Sequence, residues 1–93
     1  NDTGSTPKFK VTLGVMPDYL YDGIGLRIDG VSKNKTADKF GILKGDIVLK
    51  LGIIEVTDIF KYMQGLSKFE VGDSTTVRVK RQEEILDISI IFQ

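Results

Sequence analysis

From Thr76 to Phe92, apolar side chains fall on every second position, interrupted once by the polar run Gln82-Glu83-Glu84. Val77 and Val79 alternate with Thr76, Arg78 and Lys80. Beyond the interruption Leu86, Ile88, Ile90 and Phe92 share one face, while Asp87 and Ser89 take the other. A repeat of two is the side-chain period of a β-strand, so the stretch predicts two strands, Thr76 to Arg81 and Ile85 to Phe92, joined by a polar turn. One face is apolar and the other wet, which is the pattern of a sheet that covers a core from one side.

The rest of the chain supplies that core. Phe9, Val11, Leu13 and Val15 alternate with Lys10, Thr12 and Gly14, which predicts a half-buried first strand. Met16 to Asp22 reads as a loop, and Gly23-Ile24-Gly25-Leu26-Arg27-Ile28 as a glycine-led turn entering a short strand closed by Asp29-Gly30. Thr36 stands where an N-cap precedes a short helix, Ala37 to Phe40, and Gly41 stands where it ends. Gly45-Asp46 then turns the chain into Ile47 to Leu51, an apolar run suited to a central strand. Thr57 or Asp58 caps a second helix over residues 58–66, in which Ile59, Tyr62, Met63 and Leu66 recur at i, i+3, i+4 and i+7 and Phe60 widens the stripe. The expected fold class is mainly β with two helices (α+β), a partly open barrel of five or six strands. Residues 1–8, polar and without an apolar member, read as a linker or tag remnant ahead of one domain at 9–93. The Lys80-Arg81 pair reads as a solvated hairpin tip.

Histidine and cysteine are both absent, and this restricts function more than any motif does. Ser-His-Asp and Cys-His arrangements cannot be assembled, and the usual zinc sites lack ligands. Asp18, Asp22 and Asp29 do not follow the spacing of a calcium loop. The reading is therefore a domain without catalytic residues, metal or cofactor. Thirteen Lys plus Arg balance thirteen Asp plus Glu, so no net field draws the chain toward nucleic acid or an anionic membrane. No run approaches the roughly 20 apolar residues of a membrane span.

In that frame Gly23-Ile24-Gly25-Leu26, followed by Lys35-Thr36-Ala37-Asp38-Lys39-Phe40-Gly41-Ile42-Leu43-Lys44-Gly45-Asp46, resembles the PDZ family from about Leu13 to Phe92. The first element matches the Gly-Leu-Gly-Phe-like loop of that family, and the second matches its Ala-Gly-Leu and Gly-Asp spacing. Leu13-Gly14-Val15 and the closing hairpin look like the circularly permuted arrangement of bacterial HtrA-type proteases. Leu13 to Tyr19 with Gly23 to Val31 and Lys61-Tyr62-Met63 is similar to the PDZ segments appended to secreted bacterial zinc aminopeptidases.

The resemblance implies a binding module that takes a peptide or protein segment, C-terminal or internal, by β-augmentation. Gly23, Ile24, Gly25, Leu26, Arg27 and Ile28 would form the strand side, with the N–H groups of Ile24, Gly25 and Leu26 receiving any terminal carboxylate. Ile59, Tyr62, Met63 and Leu66 would form the helix side of one apolar slot. Asp22, placed beside that loop, opposes a carboxylate, which leaves internal or extended segments as ligands instead, or a vestigial groove. Such a module would be an accessory or regulatory part of a larger extracytoplasmic peptidase, whose own domain is a second partner. Blander readings stand beside these: glycines that serve turns alone, a helix stripe that is core alone, and a domain that docks on its own protein without external peptide.

Overall fold

The terminal hairpin forms as its alternation dictates, with β5 (Ser74–Arg81) and β6 (Glu84–Ile91) antiparallel and Val77 opposite Ile88. The computed structural model describes residues 10–93. The leader expected at residues 1–8 and the Phe9 end of the expected first strand lie outside them. Ahead of the hairpin come β1 (Val15–Pro17), β2 (Leu26–Val31), α1 (Thr36–Phe40), β3 (Ile47–Leu51), β4 (Ile54–Glu55) and α2 (Ile59–Leu66). The six strands form one antiparallel sheet in the order β1-β2-β3-β5-β6, with β4 paired to β3 alone. Sheet and helices enclose Leu13, Ile28, Leu51, Val77, Val79, Ile90 and Phe92. The partly open, mainly β fold with two helices is the one expected.

β2 runs on through Asp29-Gly30, expected to close it, to Val31. Three further local expectations change. The first strand is Val15–Pro17 rather than Phe9 to Val15, so Met16 and Pro17 are strand and not loop. The cause lies just upstream. The Leu13 carbonyl accepts from the Ala37 N–H at 2.8 Å, and the Thr12 hydroxyl accepts from the Gly14 N–H at 3.0 Å. Gly14 itself sits at φ +76°, a conformation L side chains rarely adopt. Val11 and Leu13 are thus buried without belonging to a strand.

The same contact explains the second change. Thr36 is the first helical residue and not the cap: Lys35 holds the cap position without a side-chain bond, and Leu13 supplies an acceptor from across the fold. The Thr36 hydroxyl is buried and accepts instead from the Gln93 N–H at 3.2 Å. Gly41 ends the helix as expected. Third, Arg81 is no solvated tip. Its Nε donates to Asp46 Oδ1 at 2.9 Å, and its Nη2 donates to Asp46 Oδ2 at 2.8 Å and to the Gly41 carbonyl at 2.9 Å.

In α2 the Asp58 carboxylate accepts from the Lys61 N–H at 2.9 Å, and Tyr62, Gly65 and Leu66 turn inward. Burial pushes the Tyr62 phenol above its ordinary value. A tyrosine whose folded pKa is raised contributes stability that is complete below its unfolded pKa of about 10 and is lost as pH rises past it. Wild type should therefore lose stability above about pH 10 relative to Tyr62→Phe, by up to about 1.4 kcal/mol per pH unit. Urea unfolding of both proteins at neutral pH and between about pH 10 and 11 checks this, and parallel curves would refute it.

Candidate functional site

Hydrogen-bond direction identifies the open strand edge. β1 pairs with β2 with Val15 opposite Val31 and Pro17 opposite Ile28. The bonds on either side run from Ser32 N–H to the Gly14 carbonyl at 2.8 Å and from Asp18 N–H to the Arg27 carbonyl at 2.9 Å. In an antiparallel pair alternate residues turn their polar groups the other way, and although the register shifts between Met16 and Pro17, Gly14 and Asp18 both bond inward. The Val15 N–H, the Val15 carbonyl and the Pro17 carbonyl therefore point away from the sheet, and among the described residues β1 is its terminal strand. Proline adds no donor to that outward row, which is where a strand tolerates it.

The strand expected to be open is closed on both sides. β2 carries β1 on one edge, and on the other it pairs with β3 through Leu26 opposite Val48 and Arg27 opposite Ile47. The Ile28 N–H donates to the Asp46 carbonyl at 2.8 Å, and its carbonyl accepts from Gly45 at 2.7 Å. No further chain can pair with Leu26-Arg27-Ile28. The Gly25 N–H is also committed, donating to the Thr57 carbonyl at 3.0 Å, and is not available to a carboxylate.

A cleft of about 140 Å³ lies where the far end of β1 meets the start of α2. Pro17, Asp18 and Tyr19 form one wall, Asp58 and Ile59 another, and Gly23, Gly25, Leu26 and Arg27 contribute from the loop and β2. Asp18 holds the corner together. One carboxylate oxygen accepts from Leu20 N–H at 3.0 Å and the other from Arg27 Nη1 at 2.8 Å. That pair uses the Arg27 charge, and Asp58 is occupied as the α2 cap. The wall left for a ligand is mainly apolar and aromatic, with the exposed Asp58 carboxylate at its rim.

The expected site residues divide accordingly. Gly23, Gly25, Leu26, Arg27 and Ile59 line the cleft. Ile24 projects into solvent beside it, at 73% exposure. Ile28, Tyr62 and Leu66 are core residues, which rules out a single slot lined by Leu26, Ile28, Ile59, Met63 and Leu66. Met63 is half-buried one helical turn beyond Ile59. Asp22 is exposed and not part of the cleft wall. Sequence reasoning missed Val15 and Pro17 as edge residues; a proline inside an apolar segment was the available signal. A separate depression of about 230 Å³, bounded by Leu51, Ile53, Ile54, Gly65 and Phe69, touches neither β1 nor the first turn of α2.

Comparison with known proteins places this geometry. The family described as the PDZ domain matches residues 8–91. The serine protease Do-like HtrB of Bacillus subtilis (strain 168) is 38% identical over 72 residues, covering 76% of this chain and 15% of the relative. The chain thus spans about 15% of the length of that curated protein. Among solved structures, an aminopeptidase N family protein from Idiomarina loihiensis superposes with a TM-score of 0.80 at 21% identity, over 98% of this chain and 15% of its own. The HtrA-type protease AlgW with a decapeptide gives a TM-score of 0.79 at 20% identity, over 90% of this chain and 29% of its own. At these identities the two solved structures share the fold.

Proposed function

The chain belongs to the PDZ family, and from that premise we propose that it binds an extended peptide by strand addition along the free edge of β1. The observation that carries this reading is the outward row of Val15 and Pro17 polar groups at the terminal strand, next to an apolar cleft. A peptide lying antiparallel to β1 would pair with Val15 and extend one side chain toward Ile59 and Tyr19, with Met63 further along the helix. The resemblance-based expectation of β-augmentation is kept, and the strand that performs it is β1. The module is an accessory, substrate-recognising or regulatory part of a longer extracytoplasmic peptidase, in line with the protease and aminopeptidase relatives.

Internal segments suit the site better than free C-termini. The turn that leads into β1 has its Gly14 N–H already bonded to the Thr12 hydroxyl, so a carboxylate would first have to displace that oxygen. The alternative, a domain that docks only on its own protein, is favoured by the exposed apolar rim of Tyr19, Leu20, Ile24 and Phe60, which are 73% to 93% exposed.

Titration with the tightest peptide from a random heptapeptide library separates the two. Ile59→Glu places a carboxylate against the cleft and should weaken binding more than tenfold, about 1.4 kcal/mol or above. Asp22→Asn, away from the wall, should leave it within about twofold. Equal losses in both variants, or a library that yields no binder, would refute external peptide binding and favour the docking reading.

A further inference from the structure

The outward row of β1 is chemically unbalanced. Val15 presents a donor and an acceptor, whereas Pro17 presents an acceptor alone, because its nitrogen carries no hydrogen. An ordinary strand edge would offer a matched pair at both positions. We propose that Pro17 is a specificity-determining residue: the bound segment must donate an N–H to the Pro17 carbonyl, while its own carbonyl at that residue stays unpaired. This rests on the β1 reading above and adds to it the chemical form of the ligand backbone.

Two consequences follow for the segment. Its residue opposite Pro17 cannot be proline or N-methylated, since the only bond available there uses its N–H. Strand pairing also stops at Pro17, because β1 ends there and the next outward position, Tyr19, lies in a turn closed by the Tyr21 N–H donating to the Asp18 carbonyl at 3.2 Å. The paired register is therefore short, and the segment leaves the strand where the cleft wall of Tyr19 and Ile59 begins. The same missing donor makes β1 a poor template for another copy of the sheet edge, which is a recognised use of edge proline.

Backbone ester substitution reads this bond by bond. The probe is the tightest peptide from the heptapeptide library, prepared with each amide in turn replaced by an ester, which deletes one N–H and weakens the carbonyl of the same link. Against wild type, the ester at the N–H facing the Pro17 carbonyl should weaken binding several-fold, as should those at the links that bond Val15, whereas the ester of the link following the residue opposite Pro17 should be neutral. Against Pro17→Ala, the all-amide peptide should bind about three- to tenfold tighter, because the new N–H finds the idle carbonyl. The following-link ester should then lose most of that gain. A general effect of Pro17→Ala on the fold would shift amide and ester peptides alike, so their ratio isolates the bond. A following-link ester that is equally neutral in both proteins would overturn the proposal. Absence of any Val15 amide shift on peptide addition would overturn the strand reading beneath it, which makes the two failures distinguishable.

Discussion

Arg81→Met should lower the unfolding free energy by about 3 kcal/mol, the lower end of the cost of stranding a buried charge. Asp46 is 1% exposed and lies in the turn between α1 and β3. Its carboxylate accepts two bonds from Arg81 and one from the Leu43 N–H at 3.0 Å. Removing the guanidinium leaves an anion without its cation in the interior and also frees the Gly41 carbonyl. For a domain of this size the loss corresponds to a melting temperature roughly 12–24 °C lower. Asp46→Asn should cost less, about 1–2 kcal/mol, because an amide oxygen still accepts from Leu43 and the partly exposed Arg81 can rehydrate. That asymmetry is the diagnostic, and urea unfolding at fixed salt measures it. An Arg81→Met loss below about 1 kcal/mol would mean that the bridge is a surface ion pair of little worth.

Gly25→Ala should be nearly as damaging, at about 2–4 kcal/mol, although the residue lines the cleft. Gly25 sits at φ +106°, and a Cβ there would meet Ile47 Cγ2 at 2.7 Å and the Val48 carbonyl at 2.8 Å. Backbone strain of about 1–3 kcal/mol adds to overpacking against β3 of about 1–3 kcal/mol, less what relaxation recovers. The glycine-rich loop thus serves the close approach of β2 to β3, and its N–H is held by Thr57. If the loop instead held ligand, the variant would fold normally and lose peptide affinity. Unfolding curves compared with peptide titration at a temperature where the variant is folded discriminate the two outcomes.

The strands that cover the core on one face were legible, because burial on one side writes a period of two into β5 and β6, and α2 was legible from its stripe and the Asp58 cap. Less legible were features fixed by partners distant in sequence. The Thr36 hydroxyl answers to Gln93, Ala37 to Leu13 and Arg81 to Asp46. None of these pairings leaves a local pattern. The same limit hid which strand carries the open edge. Gly23 to Ile28 carries the stronger resemblance and the stronger apolar pattern, yet an inner strand is more apolar than an edge strand for the reason that it is covered on both sides. Val15–Pro17, three residues with an exposed Met16 and a proline, carries the weak signature of an edge. Reading openness from apolar strength therefore points to the wrong member of the pair. Ile59 lines the cleft because a first-turn helix position beside its cap reaches the surface, whereas Tyr62 and Leu66 on the same stripe face inward.

Amide hydrogen exchange of the folded domain, with and without the library-selected heptapeptide, tests strand addition at β1 most directly. The Val15 N–H points outward, so peptide should slow its exchange more than tenfold while the Leu26 and Ile28 amides, already bonded inside the sheet, stay as they were. Slowing centred on Leu26 to Ile28 or on β6, with Val15 unchanged, would contradict the account.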